Sequence, residues 1–176
     1  MGRFVNPDNS AFQAALNSRI YVDKTGLIVC MNEVLDSTDA YICNSRPRRF
    51  GKSYAANMLA AYYSSACDSS ELFSKFEIAH CESFDRYLNK YNVISVNMQE
   101  FLSQCTCIDD MIKLLERSVL WELLDVYSDV RYFDNTNLAR SMQDIYTEKK
   151  CPFIVIIDEW DCIFREYKTD KAAQEK

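Results

Sequence analysis

Two short groups of residues carry the chemistry that can be recognised in this sequence, Gly51-Lys52-Ser53 and Asp158-Glu159. In the first group, glycine lets the backbone approach phosphate oxygens, lysine supplies a point charge, and serine offers a hydroxyl to magnesium. In the second group, one carboxylate can orient Mg²⁺ and the next can polarise a water molecule. Together the two groups predict a site for a magnesium-bound polyphosphate.

The first group closes a basic loop that matches the last three positions of the phosphate-binding pattern G-x-x-x-x-G-K-[ST], with Arg46 where the first glycine is expected. Three arginines and a lysine so close together in an acidic chain suit a polyanion, either a nucleoside triphosphate or a nucleic-acid backbone. In the simpler alternative, Gly51 only ends a loop and the arginines form a solvated patch. The candidate phosphate-binding residues are Arg46, Pro47, Arg48, Arg49, Phe50, Gly51, Lys52 and Ser53.

The second group follows residues 153–157, five apolar residues in a row that predict a fully buried strand. This arrangement has the form of a Walker B strand, in which Asp158 orients magnesium or its waters and Glu159 is the general base. The alternative is a core strand that happens to end in surface acids. Asp161 either supports these carboxylates or is simply exposed.

Apolar patterns place both groups on predicted elements. Residues 40–44 predict a buried strand before the basic loop, and a helix is predicted from about residue 52 to residue 64. Residues 93–96 predict a second strand, and residues 153–157 a third. This order indicates an α/β fold with a parallel sheet flanked by helices. Both groups then lie at carboxyl ends of strands, where ligands bind in such sheets.

Amphipathic spacing predicts further helices outside these strands. Ser10 and Gln13 have the spacing of a capping box at the start of the first of them. Short helices are expected between residues 66 and 90. The longer predicted helices cover residues 11–18, 27–35, 108–123 and 137–148.

The composition is that of an ordinary globular chain, with 176 residues, 48% hydrophobic and 26% charged. The net charge of -6 gives the chain as a whole no basic footprint for nucleic acid. No membrane span and no signal peptide are expected, since no apolar run is long enough. The eight cysteines are expected as reduced thiols in a cytoplasm, and a zinc site is not expected because only one histidine is present.

Three segments together resemble a known family. Residues 21–25 (Tyr-Val-Asp-Lys-Thr), residues 46–53 and residues 156–161 (Ile-Ile-Asp-Glu-Trp-Asp) look like the YVDKT, RPRRFGKT and LIDEYD motifs of the AAA-ATPase-like family of bacterial proteins. The resemblance covers about residues 20 to 165. In this family an arginine at position 46 is normal, serine at position 53 keeps the hydroxyl, and Trp160 is a mild departure from tyrosine.

The resemblance implies a P-loop NTPase fold of the additional-strand, catalytic-glutamate type, with ATP and Mg²⁺ bound. Residues 1–39 would form an N-terminal helical extension, and residues 40–176 a P-loop ATPase core that is incomplete at its C-terminal end. The residues it implies are Lys52 and Glu159 as catalytic groups, Ser53 and Asp158 as metal ligands, and Asp23 and Lys24 beside the nucleotide. In the alternative for this last pair, Asp23 or Thr25 caps the following helix.

Two functions remain open from the sequence. The first is Mg²⁺-dependent ATP hydrolysis in the complete protein, and the second is a nucleotide- or nucleic-acid-phosphate-binding module without turnover. Family members commonly continue into a restriction-endonuclease-like nuclease domain, which would be the route to nucleic acid. In the implied fold a later strand lies between the strand at residues 41–43 and that at 154–157, but only eighteen residues follow Asp158. We therefore expect either a gap in the sheet or an abnormal pairing of these two strands, with slow or absent turnover and self-association.

Overall fold

The computed structural model describes residues 2–45 and 50–166. No helix in this part of the chain has the length and apolar character needed to cross a membrane. All eight cysteines lie within it as free thiols. The elements follow one another as α1 Ser10–Leu16, α2 Gly26–Asn32, α3 Lys52–Tyr63, α4 Ser70–Phe73, a 3-10 helix Glu77–His80, α5 Phe84–Tyr87, β1 Asn92–Asn97, α6 Met98–Leu102, α7 Ile108–Val126, α8 Leu138–Lys149, β2 Phe153–Asp158 and α9 Cys162–Glu166.

The strands β1 and β2 lie side by side, parallel and in register along their whole length. On its other edge β1 contacts the N-terminal segment 2–6, where Val5 forms an antiparallel bridge with Ile94. Asn6 fixes this pairing, because its amide donates to the carbonyl of Val93 and its side-chain oxygen accepts from the amide of Val93, both at 2.7 Å. Within the described residues β1 thus has neighbours on both edges, whereas β2 pairs with β1 alone.

Two hydrophobic cores cover the two faces of the sheet, because successive side chains of a strand point to opposite faces. Val93 packs in the core that α1, α2 and α3 build with the short helices. Ile94 and Val96 pack in the core built by α6, α7 and α8. The predicted α/β arrangement, with helices flanking a parallel sheet, is confirmed at this level, although the sheet in the described residues has two strands.

Most predicted elements are confirmed within a few residues. The helix after the basic loop is α3, the strand at 93–96 is β1, and the helix at 137–148 is α8. The predicted capping box at Ser10 is wrong, because Asn9 is the N-cap of α1 and makes no side-chain capping bond. The hydroxyl and the amide of Ser10 instead donate to the carboxylate of Asp8.

The predicted buried strand at residues 40–44 is wrong, because this segment has no regular secondary structure. Tyr41 is 97% exposed and Ile42 is 45% exposed. An apolar run becomes a strand only when another strand satisfies its backbone groups. Here the segment faces β2 across a cavity of about 340 Å³, lined by Ile42, Cys43 and Asn44 on one side and residues 154–160 on the other.

The prediction of a fully buried third strand is also wrong, although the strand itself is confirmed as β2. Ile154 and Ile156 pack against the core that contains α3, while Val155 and Ile157 are about half exposed, at 51% and 50%. The cause is that β2 has no strand on its second edge within the described residues. A strand that lacks a neighbour on one edge leaves part of its apolar surface uncovered.

Candidate functional site

The sequence Gly51-Lys52 forms the start of α3. Gly51 is the N-cap residue and has a left-handed backbone, with φ of 75°. A Cβ atom at this position would lie 2.5 Å from the Nζ atom of Lys24. The left-handed backbone therefore favours glycine here, whereas the flexible end of Lys24 could move away from a Cβ atom. The amides of the first turn of a helix have no acceptor within the helix, and the helix dipole adds positive potential at this end.

Lys52 brings its charge to the carboxyl end of β2. It lines the same 340 Å³ cavity as Asp158, Glu159 and Trp160, and its Nζ atom lies 4.0 Å from Oδ1 of Asp161. The structure therefore brings together the lysine and both acids that the sequence singled out. Ser53 is exposed on the first turn of α3 and is not among the residues that line this cavity.

The two acids have different environments. Asp158 is the last residue of β2, and its Oδ1 atom accepts a hydrogen bond of 2.9 Å from the amide of Glu159. Glu159 has a positive φ of 54°, which is uncommon for a residue other than glycine. The strand ends at this turn. A backbone conformation of this kind is often found where function fixes a side chain.

A basic residue that sequence reasoning missed completes this end of the sheet. Arg165 on α9 donates from Nη2 to Oε2 of Glu159 at 2.7 Å and to Oε1 of Gln99 at 3.2 Å. Its Nη1 atom lies 3.8 Å from Oδ2 of Asp161. The hydrogen bond with Glu159 raises the pKa of the Arg165 guanidinium above its ordinary value. The signal in the sequence is the spacing of four between Asp161 and Arg165 on a helix that follows the acidic strand.

In the segment Asp23-Lys24-Thr25, the first and last residues have one role and Lys24 has another. Asp23 accepts hydrogen bonds from the amides of Thr25 at 2.8 Å and Glu77 at 3.2 Å. Thr25 is fully buried, and its hydroxyl accepts from the amide of Ile78 at 3.3 Å. These two side chains hold the chain before α2 against the 3-10 helix.

Lys24 points instead to the start of α3. Its Nζ atom donates to the carbonyl oxygen of Phe50 at 2.7 Å. The loop before α3 is thereby approached by a second lysine, which lines a different cavity from Lys52. The remaining candidate residues of this loop, Arg46, Pro47, Arg48 and Arg49, lie outside the described residues.

The site therefore combines a helix start, two lysines and several carboxylates at a strand end. The helix start and the lysines can bind phosphates, and the carboxylates can bind a cation. No curated protein and no solved structure matches the chain. A family model described as Predicted AAA-ATPase matches residues 11–176. This match covers the two helices before the loop, the loop itself, and the acidic strand end with α9. The chain belongs to this AAA-ATPase-like family.

Proposed function

We propose that this chain binds Mg-ATP at the start of α3 and that the complete protein hydrolyses it. One observation carries the proposal: Lys52, at the N-terminus of α3, and the acids Asp158 and Glu159, at the end of β2, line a single cavity. A triphosphate held by the lysine would have its outer phosphate beside the carboxylates. This is the arrangement that phosphoryl transfer requires, because it depends on positioning and charge stabilisation.

The phosphates would be held by backbone and by cations. Gly51 permits close approach of the chain, and Lys52 supplies a charge for the β and γ phosphates. Lys24 adds a second charge close to the carbonyl of Phe50. In this proposal the arginines of the loop, Arg46 to Arg49, contribute further phosphate contacts.

Asp158, which lines the cavity at the end of β2, would hold a magnesium ion, since carboxylate oxygens are ligands that Mg²⁺ prefers. In this proposal Ser53, which does not line the cavity in the structure, turns toward the ion to supply its hydroxyl when nucleotide binds. The hydrogen bond from the amide of Glu159 fixes one oxygen of the Asp158 carboxylate. The ion, when bound, would neutralise phosphate charge.

Glu159 is the proposed general base. It would accept a proton from the water that attacks the outer phosphate, while Lys52 stabilises the charge on the phosphate oxygens. In the structure its carboxylate is engaged by Arg165. That contact is the specific observation that favours the second candidate function, a nucleotide-binding module without turnover.

The proposal includes a P-loop NTPase fold of the additional-strand type, with residues 1–39 as a helical extension and 40–176 as the core. Within the described residues β2 pairs with β1 alone, and this supports the proposal, since a further strand would pair with the free edge of β2. Self-association through the same edge is part of the proposal.

The test of nucleotide binding is the variant Lys52→Ala. We expect it to abolish Mg-ATP binding in calorimetry with an unchanged circular dichroism spectrum, because Lys52 is placed to neutralise phosphate charge. The matched control is Lys113→Ala, which removes an exposed lysine on α7. Equal affinities for the two variants would overturn the assignment of the phosphate site to Lys52.

A further inference from the structure

Arg165 makes contacts that the proposed reaction leaves unexplained. It is four-fifths buried, as its side chain is 21% exposed, and Glu159, its closest partner, is 25% exposed. The pair is backed by Gln99, which accepts a second bond from the same Nη2 atom. The guanidinium is therefore held from two elements, the turn after β2 and the start of α6.

A glutamate in such a pair is not free to act on a water molecule, because the guanidinium of Arg165 holds its carboxylate. The Oε2 atom of Glu159 also uses a lone pair on Arg165 at 2.7 Å. For hydrolysis, Glu159 must therefore leave Arg165.

Asp161 is placed to accept Arg165 when this happens. Its Oδ2 atom already lies 3.8 Å from Nη1 of Arg165, one helical turn away. Its Oδ1 atom and the Nε atom of Arg165 are both buried and have no hydrogen-bond partner among the described residues. The Oδ1 atom can therefore still accept a hydrogen bond, and the Nε atom can still donate one.

Lys52 links this pair to the phosphate site. In the structure its Nζ atom lies 4.0 Å from Oδ1 of Asp161, so the lysine partly neutralises that carboxylate. A triphosphate would draw Lys52 toward its own oxygens. Asp161 would then lose one cation and attract Arg165 more strongly.

We propose that Arg165 is a positioning residue for Glu159: it holds the glutamate aside in the nucleotide-free protein and moves to Asp161 when phosphates engage Lys52. This inference rests on the proposed function and names a residue that controls it. No covalent bond is made or broken in the exchange, in which one carboxylate replaces another beside the same guanidinium.

The exchange has a consequence for affinity that does not require turnover. The exchange costs the Arg165–Glu159 contact and recovers part of that cost at Asp161, so removing the contact in advance raises nucleotide affinity by at most the strength of the pair. A partly exposed ion pair predicts a gain of up to about fivefold. The gains from Arg165→Gln and Glu159→Gln should not add, since both variants remove the same contact.

The experiment is calorimetry of the whole chain with Mg²⁺ and the slowly hydrolysed analogue ATPγS. The parent is compared with Arg165→Gln, Glu159→Gln, the double variant and Arg165→Lys, which keeps the cation. The control is Arg140→Gln, which removes an ion pair with Asp144 on α8. We expect a gain for both glutamine variants, no further gain for the double variant, and parental affinity for Arg165→Lys and for the control.

A second readout follows the turn itself. Trp160 lies between the two acids and packs edge-on against Phe164 at 5.9 Å. In a Trp121→Phe background it is the one remaining tryptophan of the sequence. Its emission should shift when Mg-ATPγS is added to the parent, and the nucleotide-free Arg165→Gln variant should already show the shifted emission.

The outcomes separate the two proposals. Absence of nucleotide binding by the folded parent would overturn the proposed function and this inference with it. Binding by the parent together with unchanged or weaker binding by Arg165→Gln would overturn the role of Arg165 alone, as would additive gains in the double variant. Unshifted Trp160 emission in nucleotide-free Arg165→Gln, with a normal shift in the parent, would do the same.

Discussion

Three carboxylates follow one another at the end of β2, and neighbouring groups give each a separate environment. Asp158 accepts a hydrogen bond from the amide of the next residue, and Glu159 forms an ion pair with Arg165. Asp161 lies between Arg165 and Lys52. Like charges so close together are stable because lysine and arginine lie among them. A triphosphate with its metal would change this balance at several points at once.

The first prediction concerns the two acids of the proposed reaction. In the complete protein, Glu159→Gln should keep Mg-ATP binding but slow hydrolysis by about two orders of magnitude or more, the usual scale for a general base. Asp158→Asn should instead weaken the dependence of activity on magnesium concentration. Phosphate-release assays across a magnesium titration distinguish the two. Parental turnover in Glu159→Gln would remove this residue from the catalytic role.

Lys24 and Thr25 are adjacent and should respond differently to substitution. Lys24→Ala should weaken Mg-ATP binding by about three- to tenfold, the scale of the net contribution of one hydrogen bond, with little change in unfolding. Calorimetry and denaturant unfolding of the same samples measure both effects. A loss of stability without a loss of affinity would make Lys24 a structural residue only.

Thr25→Val should lower the free energy of unfolding by about 1–2 kcal/mol, because it leaves the buried amide of Ile78 without its acceptor. The matched control is Thr147→Val, whose exposed hydroxyl bonds to a helix carbonyl at the surface. Urea unfolding measures the difference. Equal stabilities for the two valine variants would show that the Thr25 hydroxyl contributes little.

At the scale of elements, α7 anchors the N-terminal segment to the sheet through one acid. Glu122 is 8% exposed, and its carboxylate accepts from the backbone amides of Arg3, Phe4 at 2.7 Å and Val5 at 3.2 Å. Three amide donors on one carboxylate hold the segment in place beside β1. The segment in turn covers the edge of β1 that β2 does not use.

Glu122→Gln should therefore destabilise the chain by about 1–3 kcal/mol, since an amide side chain has one acceptor oxygen and leaves buried N–H groups unpaired. Hydrogen exchange should increase at Ser95, whose amide donates to the carbonyl of Phe4 at 2.8 Å. The control is Glu116→Gln, an exposed position on the same helix. Unchanged exchange at Ser95 would show that Glu122 does not fix this edge.

The elements also show how far the sequence could lead. Helical periodicity predicted α3, α7 and α8, and the apolar runs predicted β1 and β2, because those signals are local. The segment at 40–44 has the same apolar character as β2 but lacks a pairing partner, and pairing is not visible in a local pattern. The segment 2–6 pairs through Asn6 and Glu122, which are contacts between residues far apart in the chain. The contact of Arg165 with Glu159 depends on the turn at Glu159. The positive φ of this turn falls on a residue type that does not predict it.

At the scale of the whole molecule, β2 has a strand on only one of its edges within residues 2–45 and 50–166. Val155 and Ile157 are half exposed there, beside the cavity that Ile42 also lines. An uncovered strand edge with apolar side chains favours pairing with another chain. We therefore expect the chain to self-associate in a concentration-dependent way.

Light scattering across a concentration series tests this expectation. Val155→Lys should reduce association, because it places a charge beside the open strand edge. The control is Val22→Lys, a change at another exposed valine, 65% exposed, away from β2. A parent chain that remains a monomer at high concentration would contradict the expectation.

The central claim is that the nucleotide lies with its outer phosphate between the start of α3 and the end of β2. A crystal structure of the chain with Mg²⁺ and a non-hydrolysable ATP analogue tests it most directly. The account predicts the β and γ phosphates on Lys52 and the amides of the first turn of α3, with magnesium between Ser53 and Asp158 and the γ phosphate facing Glu159. A nucleotide bound elsewhere on the molecule, or phosphates that do not contact Lys52, would contradict it.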